Sequence, residues 1–291
     1  MAIKDSELIL NPDGSIYHLN LKPEHIAQTI ILVGDQDRVT KITKHFDTIE
    51  YSIQKREFKT ETGVYKGKRL SVISTGIGCD NIDIVLNELD ALANINFETR
   101  TLKTEITTLN IIRVGTSGSL QKEVPVDSFA LSAAGLDFSG MLHFYNIENF
   151  RNKPFEEAFV THTQWNANKS YPVLMPNSKL LEDVFTSEET KSGVTATASG
   201  FYGPQGRILR LNTEDPALND KIHTFNFKNT KVINYEMETA AIYGLSALLG
   251  HRALSLNAII ANRATGQFSK DPGLLVERLI RYTLTRILKL N

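Results

Sequence analysis

Short apolar runs, most of them without a polar face, set the terms on which this chain can fold. Thr29–Val33 (TIILV), Leu70–Ser74 (LSVIS) and Leu109–Val114 (LNIIRV) are the first three, each leading into a glycine-containing turn. Phe129–Ala134, Val194–Ala198, Val232–Tyr235 and Ala253–Ala261 are further candidates. Strands of this kind need cover on both sides, which suits the centre of a mostly parallel sheet between helices. Helical patterns lie between them. Over Asn81–Ala93 the residues Ile82, Val85, Leu86, Leu89 and Leu92 recur on one face, with Asp80 or Asn81 as cap. Thr239–Leu249 is small and apolar and reads as a buried helix. The last helix starts at Asp271 as N-cap with Pro272 in its first turn, and it buries Leu275, Leu279, Tyr282 and Ile287. This alternation predicts one α/β domain over residues 1–291. The polar stretches 94–107 and 151–167 read as surface excursions, and 210–229 as a partly helical one.

Charge and cysteine content narrow the function. The formal net charge of -1 argues against a nucleic-acid partner, which selects a basic excess. One cysteine, Cys79, allows neither an internal disulfide framework nor a multi-cysteine zinc site, and the histidines show no metal spacing. The first fifteen residues are too polar for a signal peptide, and no apolar run approaches the ~20 residues of a membrane span. A cytoplasmic protein without a membrane partner is the expectation.

The chemistry is concentrated at strand ends. Arg113 continues directly from an apolar strand and is followed by Val114-Gly115-Thr116-Ser117-Gly118. A buried arginine needs a counter-charge, supplied either by a structural carboxylate or by a bound anion. Hydroxyls and closely approachable backbone amides beside it suit a phosphate oxyanion. Gly34-Asp35-Gln36-Asp37-Arg38 follows the first strand and can cradle an anion at a helix N-terminus, or simply cap that helix. Lys55-Arg56-Glu57-Phe58 taken alone suits a solvated face. Ser74-Thr75-Gly76-Ile77-Gly78 lacks the third glycine of a dinucleotide fingerprint, since position 81 is Asn. Phe201 to Arg207 puts two aromatics, Gln205 and Arg207 into one loop, a set able to match the edge of a base with carbonyl oxygens and an imide N–H. In Tyr235-Glu236-Met237-Glu238 the two carboxylates share a face if extended and can accept from a vicinal diol; equally, they can sit at a helix N-terminus.

The order of these segments carries more than any one of them. His18-Leu-x-Leu, Gly34-Asp-x-Asp-Arg38, Arg56-Glu-Phe, Ser74-Thr-Gly-Ile-Gly78, Arg113-Val-Gly-Thr-Ser-Gly118, Phe201-Tyr-x-x-Gln-x-Arg207, Glu236-Met-Glu238 and Asn262-Arg263 follow one another in the chain. In this the sequence resembles the uridine phosphorylases of the nucleoside phosphorylase superfamily. The resemblance implies a single α/β domain with a twisted, partly barrel-like mixed sheet flanked by helices. It implies reversible phosphorolysis of uridine to uracil and ribose 1-phosphate, with inorganic phosphate as co-substrate, no cofactor and no catalytic metal. By the same resemblance Gly34, Arg38, Arg113 and Thr116 bind phosphate, and Arg56 reaches it from a neighbouring copy. Phe201, Gln205 and Arg207 hold the base, with Ile260 and Arg263 closing its pocket. Glu236, Met237 and Glu238 line the ribose, and His18 of a partner copy meets the 5′-hydroxyl. The implied assembly is thus a homo-oligomer with a site shared across a dimer interface.

Several positions depart from the family pattern. Gln36 replaces a proline and Lys55 a histidine. Some bacterial relatives hold a monovalent cation between subunits; Glu57 and Ile77 match its ligands, but Asn81 stands where a serine would be, which puts that cation in doubt. Gly206 before Arg207 and the long 94–107 stretch are closer to animal-type dimeric members. Three alternatives are weighed against uridine cleavage. Purine phosphorylases carry Ser-Asp near the last core strand, where this chain reads Ile260-Ala261-Asn262-Arg263. Hydrolases lack the phosphate arginines, and a non-catalytic nucleoside-binding protein would have lost the arginines or the ribose carboxylates; this chain keeps both sets.

Overall fold

The computed structural model describes residues 2–290. In chain order, β1 (Thr29–Val33) leads through Gly34 into α1 (Gln36–Thr43), which Asp35 caps by accepting the Asp37 N–H. Three antiparallel strands follow, β2 (Thr48–Lys55), β3 (Phe58–Tyr65) and β4 (Lys68–Ser74), then α2 (Cys79–Asn94). A small hairpin, β5 (Ile95–Asn96) and β6 (Thr101–Leu102), precedes β7 (Asn110–Ser119) and β8 (Phe129–Asp137). Next come α3 (Lys153–Thr163), β9 (Val173–Pro176), α4 (Lys179–Phe185) and β10 (Thr190–Thr197). The chain ends with α5 (Leu218–Thr224), β11 (Val232–Glu236), α6 (Thr239–Leu249), β12 (Arg252–Asn262), β13 (Gln267–Phe268) and α7 (Pro272–Ile287).

Eleven of the strands form one sheet. Five of them close on each other: β12 pairs with β8, β8 with β10, β10 with β11, β11 with β7, and β7 returns to β12. From β7 the sheet continues as an open wing through β1, β4, β3 and β2. The result is a mixed, partly barrel-like sheet, as the resemblance implies. Its centre is parallel, in the β4–β1–β7–β12 and β8–β10–β11 sets, where the sequence runs are apolar on both faces. One side is filled by α2 and α6 through Ile82, Leu86, Leu89, Ile242 and Leu245. The other is covered by α1, α4 and α7 through Val39, Ile42, Phe185, Leu279 and Ile287.

Three parts of the chain read differently from their sequence. The glycine-containing stretch after Arg113 is not a turn: β7 runs on through Gly115 and Gly118 to Ser119, paired with β12. The 151–167 stretch is not a loose excursion: Lys153–Thr163 forms α3, capped by Asn152, and buries Phe155 and Phe159 against Phe225. Two aromatics four residues apart seat this helix, whose other buried positions, Glu156 and Thr163, are polar. The β2–β3 hairpin was not marked by any apolar run, because β2 is exposed or half-buried throughout. The 94–107 stretch holds the β5–β6 hairpin, and 210–229 is partly helical through α5. Among the described residues no helix is long and apolar enough to cross a membrane.

Candidate active site

A cavity of roughly 330 Å³ opens where the carboxyl ends of β1, β7, β11 and β12 converge, the position at which parallel α/β sheets present their loops to ligands. Of the residues singled out in the sequence, Gly34, Arg38, Arg113, Thr116, Phe201, Gln205, Arg207, Glu236, Met237, Glu238 and Ile260 line it. Arg263, Arg56 and His18 do not. Asp35, Ile77, Ser117, Gly118, Tyr235, Ala261 and Phe268 complete the wall. Phe268 lies on the two-residue strand β13 and is 63% exposed; nothing in its sequence context marks it.

Arg113 organises one end. It is 7% exposed, donates to Glu238 and to Asn257 Oδ1 at 3.0 Å, and stands 3.4 Å from Glu236 Oε2. Burial opposes its charge, but Glu238 and Glu236 more than offset it and hold the guanidinium above its ordinary range. Its counter-charge is thus supplied by two carboxylates, and these are themselves cavity residues. Gly115 is required beneath it, since a Cβ there would collide with the Arg113 guanidinium and Asn257.

Arg38 is the cation left over. Its one side-chain hydrogen bond is a long one, 3.3 Å from Nη1 to the Val114 carbonyl. Burial, and then the nearby Arg113, push its pKa down. A half-buried guanidinium in that position gains from an anion between it and Arg113. The Thr116 hydroxyl lines the same corner without a protein partner among the described residues.

The carboxylates are clamped by backbone. Glu236 ends β11 and caps α6: its Oε2 accepts the N–H groups of Glu238 and Thr239 at 2.9 Å each, and its Oε1 accepts the Thr197 hydroxyl at 2.7 Å. Burial pushes its carboxyl above the usual range, against the pull of Arg113. Glu238 accepts the Gly78 N–H at 2.8 Å on Oε1 and Arg113 on Oε2. Each Glu238 oxygen has one protein donor and a second lone pair, so it can still accept a hydroxyl.

The far end is basic and aromatic. Gln205 Oε1 accepts from Arg207 Nη1 at 2.6 Å and from Arg263 Nη2 at 3.1 Å. With its carbonyl held twice, the amide NH₂ is the group Gln205 can offer a ligand. Arg207 lies over the Phe201 ring, 3.7 Å from its centroid, and burial beside Arg263 lowers its pKa to about 10. Arg263 also donates to the Gln205 carbonyl and lies over Tyr235, so it buttresses the loop from outside the cavity. The sequence assigned it to pocket closure; its support of Gln205 needed the tertiary contact. Asn262 points away from this end, donating to the carbonyls of Gln121 and Val124 at 2.9 Å each and accepting the Thr265 N–H.

His18 and Arg56 come together elsewhere. Arg56 is the left-handed residue, φ 54°, of the two-residue β2–β3 turn, and its guanidinium lies 5.7 Å from the Tyr17 ring centroid. His18 packs edge-on against the same ring and is held by Glu88, which accepts the backbone N–H groups of His18 and Leu19 and pairs with His18 Nδ1 at 2.6 Å. Near Gly76, the Asn81 amide directs a donor at the Ile77 carbonyl, 3.5 Å away, an oxygen that a bound cation would need. Cys79 is buried, burial pushes its thiol up, and it faces the Met237 carbonyl.

A family model for the phosphorylase superfamily matches residues 28–282. Among curated relatives, a uridine phosphorylase of Thermococcus kodakarensis is 29% identical over 268 residues, covering 89% of this chain and 81% of its own. A DeoD-type purine nucleoside phosphorylase of Bacillus subtilis is 27% identical, covering 86% of this chain and 88% of its own. Among solved structures, a nucleoside phosphorylase of Trypanosoma brucei, described as showing uridine phosphorylase activity, superposes with a TM-score of 0.87. It is 29% identical, over 98% of this chain and 100% of its own.

Proposed function

This chain belongs to the phosphorylase superfamily, and from that premise we propose that it catalyses the reversible phosphorolysis of uridine to uracil and ribose 1-phosphate. The observation that carries the reading is the chemistry of the base end. Gln205, Arg207 and Arg263 form a donor-rich, cationic cluster, and the cavity's carboxylates, Asp35, Glu236 and Glu238, belong to its other parts. Cleavage of the glycosidic bond leaves negative charge on the departing base. A uracil anion spreads that charge over carbonyl oxygens and is stabilised by fixed donors, with no proton transfer. A purine leaves best when a nearby acid protonates its ring, and Asn262 offers none.

The remaining steps use the residues already described. Phosphate sits between Arg38 and Arg113 with the Thr116 hydroxyl as donor, and attacks the anomeric carbon. Glu238 accepts the ribose hydroxyls and holds the sugar against the attacking oxygen. Met237 packs on the sugar and Ile260 on the base. Catalysis is then positioning and electrostatic preorganisation, with no covalent enzyme intermediate and no cofactor. Arg56 and His18 complete the site from a second copy of the chain, in a homo-oligomer.

The test is a phosphate-dependent cleavage assay with uridine, thymidine, inosine and adenosine. Uridine should be cleaved only when phosphate is present, with ribose 1-phosphate as product. Activity on inosine alone, in line with the purine phosphorylase relatives, or uridine cleavage without phosphate, would refute the reading.

A further inference from the structure

Behind the phosphate end lies a second opening. A groove of roughly 730 Å³ runs between α1 and the first turns of α7, and its wall shares Arg38, Thr116 and Ile260 with the candidate active site. Lys41 lines it from α1, Lys44 from just past the end of that helix, and Arg281 from α7. Glu277 is its acid and is divided between Lys44, at 2.7 Å, and Arg281, at 3.0 Å. With Arg38 at its inner end, the groove holds a surplus of positive charge. A concave surface of one sign concentrates small ions of the other and speeds their arrival.

The neck between groove and site is loosely held. Arg38 is fixed by a single 3.3 Å hydrogen bond, and Thr116 by none among the described residues. Of the three residues shared by groove and site, these two can change rotamer without backbone movement, and Ile260 stays as the fixed side of the neck. The other mouth of the site is different in character: exposed Ile77, Phe201 and Phe268 border it, a surface suited to a base and sugar.

We propose that the α1–α7 groove is a separate route for inorganic phosphate, so that phosphate exchanges with solvent while a nucleoside occupies the apolar mouth. This rests on the phosphorolysis reading and adds a path to it. The experiment follows radiolabelled inorganic phosphate entering and leaving the protein, with and without a saturating uridine C-nucleoside, whose carbon–carbon bond phosphate cannot break. In the unaltered protein the exchange rates should survive saturation. Gly273 lines the groove, and a Cβ added there would meet only Asp271 Oδ1, at 3.4 Å. Gly273→Trp should therefore slow entry and exit together, on the order of tenfold, with the nucleoside analogue bound and leave Kd unchanged. Lys41→Glu should slow entry several-fold and flatten its dependence on ionic strength. Loss of phosphate exchange in the unaltered protein once the analogue is bound would overturn the route, as would unchanged exchange in both variants. Failure of the phosphorolysis reading would look different: no saturable phosphate binding, and no phosphate-dependent cleavage.

Discussion

Gly115 lies directly under the Arg113 guanidinium, and one methyl group there separates the position of that charge from its presence. Gly115→Ala should leave the secondary structure intact by circular dichroism and raise KM for phosphate on the order of tenfold, because the guanidinium must move off Glu238 and Asn257. An unchanged phosphate KM would show that Arg113 serves only its two glutamates. Arg207→Ala asks the matching question at the base end: kcat/KM for uridine should fall roughly a hundredfold while phosphate affinity holds, and unchanged kinetics would remove Arg207 from base recognition. These single residues were also the most legible part of the sequence. Arg113 announced itself by interrupting an apolar strand, and Gln205 and Arg207 by sharing a loop with two aromatics. What the sequence could not reveal was which groups restrain them. Arg263 on Gln205, the Gly78 N–H on Glu238 and Glu88 on His18 are all contacts between segments far apart in the chain.

At the scale of elements, α1 and α7 are joined by one carboxylate. Glu277 on α7 accepts from Lys44, from Arg281 and, at 3.0 Å, from His45. Burial opposes its charge, but Lys44 and Arg281 more than offset that and hold its carboxyl below the usual range. The unfolded chain therefore binds the proton more readily than the folded one. The stabilisation is present above the ordinary glutamate range and is lost as pH falls through the depressed folded value. Denaturant titrations should find Glu277→Gln less stable than the parent by about 1 kcal/mol at neutral pH, with the gap closing in acid. A gap that persists in acid would mean the side chain acts by packing and not by charge. The strands and helices that were legible are those with apolar runs or an apolar face: β1, β4, β7, β8, β10, β11, β12, α2, α6 and α7. The elements that escaped, α3 and the β2–β3 hairpin, read as polar surface because β2 is largely exposed and many of the buried positions of α3 and β3, among them Glu156, Thr163, Thr60, Glu61 and Thr62, are polar.

At the scale of the whole molecule, the proposed function has one copy completing the site of another. The two residues assigned by resemblance to a partner, His18 and Arg56, are 38 positions apart, yet both pack on the Tyr17 ring, outside the cavity. Lys55 reinforces the arrangement by donating to the Tyr17 carbonyl at 2.6 Å. A cation and an imidazole are thus gathered on one aromatic beside the β2–β3 turn, and the proposed function places this pair together in a neighbour's cavity. If two copies exchange these pairs, each site draws Arg56 from one chain and Glu238 from the other. Arg56→Ala and Glu238→Ala should then each be nearly inactive alone. Dissociated and reassembled at equal amounts, the two variants give mixed dimers with one intact site and one doubly damaged site. Activity should recover to about a quarter of that of the unaltered protein. Arg56→Ala keeps the turn residue's unusual backbone conformation strained, so Arg56→Gly, which relaxes φ but also removes the charge, is the companion variant. It should match Arg56→Ala in activity and exceed it in stability. Mixed dimers that form, as judged by a tag on one chain, but stay inactive would place Arg56 outside its neighbour's site and leave each copy to bind phosphate with Arg38 and Arg113 alone.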